Sequence, residues 1–199
     1  LTVGDITAVT LYQAMLPVPG RVLPKMEEYQ LAVERGEEMF DSVGCTSCHV
    51  PALKLDDPVF TEPNPFNPDG NLKVADVAQP FAVDLTVEGP GPHLPREIDG
   101  SVMVPAYTDL KRHDMGPENA EPLVQAGVST SVFLTKKLWG FANEGPYMHH
   151  GRASTIEQAI LMHGGDAAAV RDAYEALSET DRKCVVDFLK TLQVLEADA

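Results

Sequence analysis

Five consecutive residues, Cys45-Thr46-Ser47-Cys48-His49, carry the clearest chemistry in this sequence. Two thiols sit within one turn of chain, and a histidine follows the second directly. C-x-x-C-H is the spacing of covalent haem attachment: each thiol can form a thioether to a vinyl group, and the histidine takes an axial position on the iron. Other uses of C-x-x-C fit less well. A structural zinc site wants a second ligand pair, and no second C-x-x-C follows. A thioredoxin-like pair sits in an alternating β/α pattern, whereas a helical pattern precedes this motif.

An iron held in this way has a second axial position. His93, His113, His149, His150 and His163 are candidates for it, as are Met103, Met115, Met148 and Met162. The adjacent pair His113-Asp114 reads either as an acid–base dyad or, with Met115-Gly116, as support for a turn. Cys184 stands alone in a helical stretch, where a single cysteine usually serves as a small buried hydrophobe.

These residues need a frame. A first helix is expected from Asp5 to about Leu16, with Ala8, Leu11, Tyr12 and Met15 on one stripe. Three prolines and a glycine between Pro17 and Pro24 read as a linker. A second helix, about residues 25–41, puts Tyr29, Ala32, Val33, Gly36 and Phe40 on one face and delivers the chain to Cys45. Gly36 costs that helix about 1 kcal/mol against alanine, which a close helix crossing would justify. Its expected partner is the last helix, started by Ser178 and Asp181, with Val185, Phe188, Leu189 and Leu192 at helical spacing. Ser154 and Glu157 form a capping-box pattern for a helix running to His163, stopped by Gly164-Gly165. Between Pro51 and Pro105 prolines recur too often for helix, and residues 81–87 and 100–104 alternate as short strands do. Residues 51–130 read as a long structured insertion.

Aspartate and glutamate number 30 against 15 lysines and arginines, a formal charge of −15. That sign excludes a generic nucleic-acid binder and suits either solubility or the steering of a basic redox partner. No run of 18 apolar residues suggests a membrane span.

Several stretches together resemble the C-terminal haem domain of the di-haem oxidoreductases, in the superfamily of bacterial di-haem cytochrome c peroxidases and MauG-like enzymes. They are Arg35-Gly36-Glu37-Glu38-Met39-Phe40, the block from Gly44 to Pro51, Glu62 to Pro68, Tyr107 to Gly116, Leu138-Trp139-Gly140, and Pro146-Tyr147-Met148-His149-His150-Gly151 followed by Thr155 to Ala159. The resemblance spans about residues 26–192. It implies a mainly α, cytochrome c-like helical haem domain over residues 25–199, with the proline-rich insertion carrying short strands. Residues 1–24 would then be the terminal helix and linker of a missing N-terminal domain.

The resemblance also implies the site. Cys45, Cys48 and His49 hold one covalent haem c, and His163 stands where related domains place their sixth ligand. His149 would hold a propionate or fix the backbone, unless it is simply a partly buried histidine. His150 and Arg152 suit the propionates, and Trp139 either stacks at the haem edge or packs in the core. No catalytic residue is implied. Related enzymes hold a calcium ion between domains. The partner would be a redox protein or a second haem domain, with no nucleic acid and no membrane span, and attachment of the haem points to a periplasmic or otherwise extracytoplasmic setting. The expected function is electron relay through a His/His-ligated haem in a peroxidase-like oxidoreductase. A free-standing electron carrier, or an open-site haem doing peroxide chemistry, is the alternative.

Overall fold

The computed structural model describes residues 2–195. It contains five α-helices: α1 (Val3–Ala14), α2 (Glu27–Ser42), α3 (Ile156–Leu161), α4 (Ala168–Glu175) and α5 (Glu179–Thr191). Eight short strands accompany them: β1 (Pro19–Arg21), β2 (Leu53–Leu55), β3 (Val59–Glu62), β4 (Phe81–Asp84), β5 (Val102–Val104), β6 (Arg112–Asp114), β7 (Val132–Leu134) and β8 (Leu192–Val194). They pair two by two, as β1–β8, β2–β5, β3–β4 and β6–β7. The chain divides into two units. Among the described residues, one contains 2–18, 54–104 and 195, and the other 19–53 and 105–194.

The second unit holds the helical core. Val33 and Phe40 of α2 pack with Val185, Phe188 and Leu189 of α5, and Tyr107, Ile156, Tyr174 and Leu192 close the cluster. Burial of a side chain of this size contributes about 1.5–3 kcal/mol, so these few residues dominate the stability of the unit. Phe188 meets the rings of both Phe40 and Tyr107, with centroids 5.4 and 5.9 Å away. Gly36 lies at the crossing. A Cβ there would stand 1.9 Å from the Cys184 carbonyl oxygen and 2.9 Å from Phe188 Cβ, so only glycine lets the two backbones come this close. Arg35 adds an ion pair to Asp181, 2.9 Å away, at the edge of the same crossing. Cys184 is buried in α5.

The starts of α1, α3 and α5 follow local capping chemistry, while α2 and α4 begin without a side-chain cap. Ser178 Oγ accepts from Asp181 N, 3.1 Å away, as its position before α5 predicts. Two caps lie one or more residues from the expected place. Thr2 caps α1, with Asp5 as the reciprocal acidic residue at its third position. Thr155 caps α3 by accepting from Gln158 N, while Ser154 bonds the Gln158 side chain. A further helix, α4, follows the glycine pair and carries buried Tyr174.

The first unit is built from short ladders. β3 and β4 pair antiparallel with Val59 opposite Asp84 and Glu62 opposite Phe81. Turns between strands are closed by carboxylates: Asp84 accepts from Thr86 N and Oγ1, and Asp99 from Ser101 N and Oγ. Hydrogen bonding by Thr86 and Arg96 holds the Asp84 carboxyl down at about 2.

The expectation of a mainly α protein is therefore corrected. The chain is 36% helical and 16% strand, with several small antiparallel sheets. Proline lacks the N–H a helix needs and fixes φ, so the proline-rich stretch must satisfy its remaining backbone groups across strands or in turns. The second unit has strands as well. Pro19–Arg21, inside the stretch read as a linker, pairs with residues 192–194, and β6 pairs with β7.

Gly36→Ala measures the crossing directly. Alanine should gain about 1 kcal/mol in helix propensity, yet overpacking against a carbonyl oxygen 1.9 Å away should cost more, for a net loss of about 1–3 kcal/mol. Thermal unfolding followed by circular dichroism should give a lower Tm. An unchanged or raised Tm would place the tight contact elsewhere.

Candidate functional site

The α2 helix ends at Ser42, and Gly44 (φ +97°) turns the chain in the left-handed region that terminates helices. Residues 45–47 then form one 3-10 turn in which Cys48 N and His49 N both donate to the Cys45 carbonyl, at 3.3 and 2.9 Å. The two thiols and the imidazole thus issue from a single tight turn. The chain after it is zipped to residues 107–108: Tyr107 N donates to Pro51 O, and Thr108 N to Val50 O. Tyr107 has a positive φ of 49°, and its carbonyl points at His49.

His49 Nδ1 lies 2.9 Å from Tyr107 O. A carbonyl only accepts, so Nδ1 carries the proton and Nε2 keeps its lone pair. His163, just past the end of α3, repeats the arrangement. Its Nδ1 donates to Ala159 O at 2.7 Å. The two rings lie with centroids 6.4 Å apart and planes at 57°. Each keeps part of its surface accessible, yet protein surrounds it closely. Burial pushes the His49 pKa down to about 4, with the neighbouring His163 adding to the effect and the Tyr107 bond opposing it. Burial lowers the His163 pKa too. Each imidazole has an oriented Nδ1–H and an unprotonated Nε2, the state in which a histidine is able to ligate a metal.

Their spacing fits a shared metal. Two metal–nitrogen bonds of about 2.0–2.1 Å, with each nitrogen roughly 1.1 Å from its ring centre, put imidazole centroids about 6.3 Å apart. Beside the pair, Cys45 packs against the core, and burial pushes its thiol up to about 12. Cys48 Sγ lies 4.0 Å from His113 Nδ1.

His113 is paired with Asp109 at 2.8 Å, not with its neighbour Asp114. Asp114 instead accepts from Gly116 N at 2.8 Å. Burial raises the Asp109 carboxyl, but hydrogen bonds from Lys111 N and the His113 and Thr135 side chains outweigh it and bring it to about 2. Among the described residues, Cys48, Asp109 and His113 place one ligand atom each within 4.8 Å of one another. That donor set suits a transition metal better than calcium, which takes oxygen ligands.

The remaining candidates fall around other contacts. His149 Nε2 is 2.9 Å from Glu121, and its ring stacks on Phe133 at 4.1 Å. Arg152 donates to Glu118 O at 2.7 Å. Trp139 is half-buried, with the Lys137 ammonium 4.5 Å from its ring centre. Three contributors were not foreseen. Tyr107 acts through its backbone, which no side-chain pattern reveals. Asp109 lies four residues before His113, a spacing visible once the strand at 112–114 is known. Asn119 is almost wholly buried beside Met162, in a stretch with no helical or strand period.

The family model described as "Di-haem oxidoreductase, putative peroxidase" matches residues 71–192, more than half of the chain, and the chain belongs to that family. Membership brings a redox role and implies a haem cofactor. The matched span contains His113, His149 and His163, while Cys45, Cys48 and His49 lie before it. No curated protein and no solved structure matches the chain. No helix among the described residues is long and apolar enough to cross a membrane.

The depressed His49 pKa sets a pH dependence. An unfolded imidazole titrates near 6.5, and the native one near 4. Between these values the unfolded state binds the proton that the native state refuses. Stability of the haem-free chain should therefore fall as pH drops from about 6.5 to about 4, by up to about 1.4 kcal/mol per pH unit for this group. Urea unfolding of the parent and of His49→Leu at pH 7 and pH 5 checks it: the variant should lose less stability on acidification. Equal losses would mean that His49 titrates normally.

Proposed function

We propose that the unit formed by residues 19–53 and 105–194 binds one covalent haem c and relays electrons within a peroxidase-like oxidoreductase. The observation that carries this reading is the pair of neutral imidazoles 6.4 Å apart beside the C-x-x-C-H turn. Cys45 and Cys48 would form the two thioethers, and His49 and His163 would be the axial ligands. The haem, when bound, supplies a one-electron couple.

This chain's residues do the rest. The Tyr107 and Ala159 carbonyls hold each ring in the tautomer whose Nε2 can ligate. They also make each imidazole more basic, which favours the oxidised metal. Phe40, with its centroid 6.3 Å from His49, and the core behind it exclude water from the proximal side. His150 Nδ1 accepts from Arg152 N, so its buried Nε2 carries a proton with no acceptor among the described residues. That donor, with the Arg152 guanidinium, suits a propionate carboxylate. His149 and Trp139 line the periphery in this reading.

With His49 and His163 both holding the haem iron, peroxide would find no binding position on it. Peroxide chemistry then belongs to the second haem that a di-haem family implies, on a partner domain or protein. A charge of −15 suits attraction of a basic electron donor. Attachment of haem through thioethers would suit a periplasmic or otherwise extracytoplasmic setting.

Two measurements test this. Intact mass under denaturing, reducing conditions should exceed the polypeptide mass by one haem, and a bare-polypeptide mass rejects covalent attachment. The ferric spectrum should be low-spin, and His163→Ala should turn it high-spin and speed cyanide binding. Met162→Ala should do neither. A low-spin spectrum unaltered by His163→Ala, or the charge-transfer band of a methionine ligand, moves the assignment away from His163.

A further inference from the structure

His163 sits at the meeting of three chain segments, and one side chain joins two of them. Asn119 is 1% exposed. Its Nδ2 donates to Met115 O and to Met162 O, each at 2.9 Å. Both amide protons are spent on carbonyls 47 residues apart in sequence, and Met162 is the residue immediately before His163. Meanwhile Asn119 Oδ1 is buried with no partner among the described residues. A side chain serving only to fill space would not carry that unpaired acceptor, since burying a polar atom without a bond is costly. The orphaned oxygen is the consequence of an amide whose donor end is needed.

The backbone around it is packed as tightly as backbone allows. A Cβ on Gly164 would stand 2.8 Å from Met115 O, and one on Gly165 would stand 2.1 Å from Asp114 O. The chain after His163 therefore lies directly on residues 114–116. From the far side, Arg171 Nη1 donates to His163 O at 3.0 Å. The carbonyl before the ligand and the carbonyl of the ligand itself are thus both held by side chains from elsewhere in the unit. α3 has only six residues and ends just before His163, too short to fix the ring by helical rigidity alone.

We propose that Asn119 is a positioning residue for His163: its amide ties the Met162 peptide to the 115–116 turn and thereby holds the imidazole in reach of the iron. The inference rests on His163 being the second axial ligand. Asn119 touches neither the iron nor a reactant; it acts through the peptide preceding the ligand.

The test uses the holo-chain, with Asn119→Leu removing the donor and Gly164→Ala prying apart the same contact from the other segment. Each should add a high-spin component to the ferric spectrum. Each should also speed cyanide binding by about tenfold, the size expected when one well-placed hydrogen bond is lost. Gly36→Ala is the comparison, because it loosens the same unit away from this contact. It should lower Tm and leave both the spectrum and the cyanide rate as they were. If Asn119→Leu and Gly164→Ala lower Tm but stay fully low-spin with unchanged cyanide rates, Asn119 is merely structural and the proposal fails. If neither variant retains haem, exchange of the Asn119 side-chain amide protons in the unsubstituted holo-chain decides. Protected protons released on cyanide binding support the clamp, and freely exchanging protons overturn it. A wild-type ferric spectrum that is high-spin or methionine-ligated is a different failure, one of the ligand assignment itself, and it removes the clamp with it.

Discussion

The carbonyl oxygens of Tyr107 and Ala159 each take the Nδ1 proton of a partly buried imidazole, at 2.9 and 2.7 Å. Each bond selects one tautomer, and the two rings come to rest with their centroids 6.4 Å apart. Neither oxygen belongs to a functional group that a sequence motif could specify. Much of the surrounding architecture keeps these two carbonyls in place. Tyr107 is anchored by its own N–H to Pro51 and by its ring against Phe40 and Phe188. Ala159 belongs to α3, whose entry is capped by Thr155.

Neutral imidazoles inside protein carry a cost: acid favours the charged form, which burial disfavours. A metal held between them, as proposed, would offset that cost, because its ligands must be unprotonated in any case. The helical core behind the site is correspondingly rigid. The α2 and α5 backbones approach so closely at Gly36 that a methyl group would overlap a carbonyl. From this crossing α2 carries the chain to Ser42, and Gly44 then turns it into the Cys45–His49 turn.

The family match begins at residue 71, after the C-x-x-C-H turn. The matched span takes in His149, His163 and the 113–119 segment, together with residues 71–104 of the first unit. The first unit carries its own short ladders, with aspartates that accept from nearby hydroxyls and amides. Beyond α1, the prolines recurring between residues 51 and 105 disfavour helix, and strands of three or four residues with turns satisfy the backbone groups there. Strands so short carry little alternation, so β2, β3, β6 and β7 left no pattern in the sequence, and a mainly α chain was the natural but mistaken expectation.

Local chemistry was legible from the residues themselves. C-x-x-C-H reads as one turn because its spacing is covalent, and the α2 and α5 stripes read as helices because 3.6-residue periodicity is written along the chain. Even Gly36 betrayed its crossing, since a glycine inside a helix needs a reason. What only the tertiary structure decided was which partner each of these side chains takes. It gave His113 to Asp109 instead of Asp114, set His149 on Glu121, bound Asn119 to Met115 and Met162, and brought His163 opposite His49. Hydrogen bonds to backbone carbonyls carry no residue-type signature, and the meeting of segments 28 to 114 residues apart is fixed by packing, which no local pattern encodes.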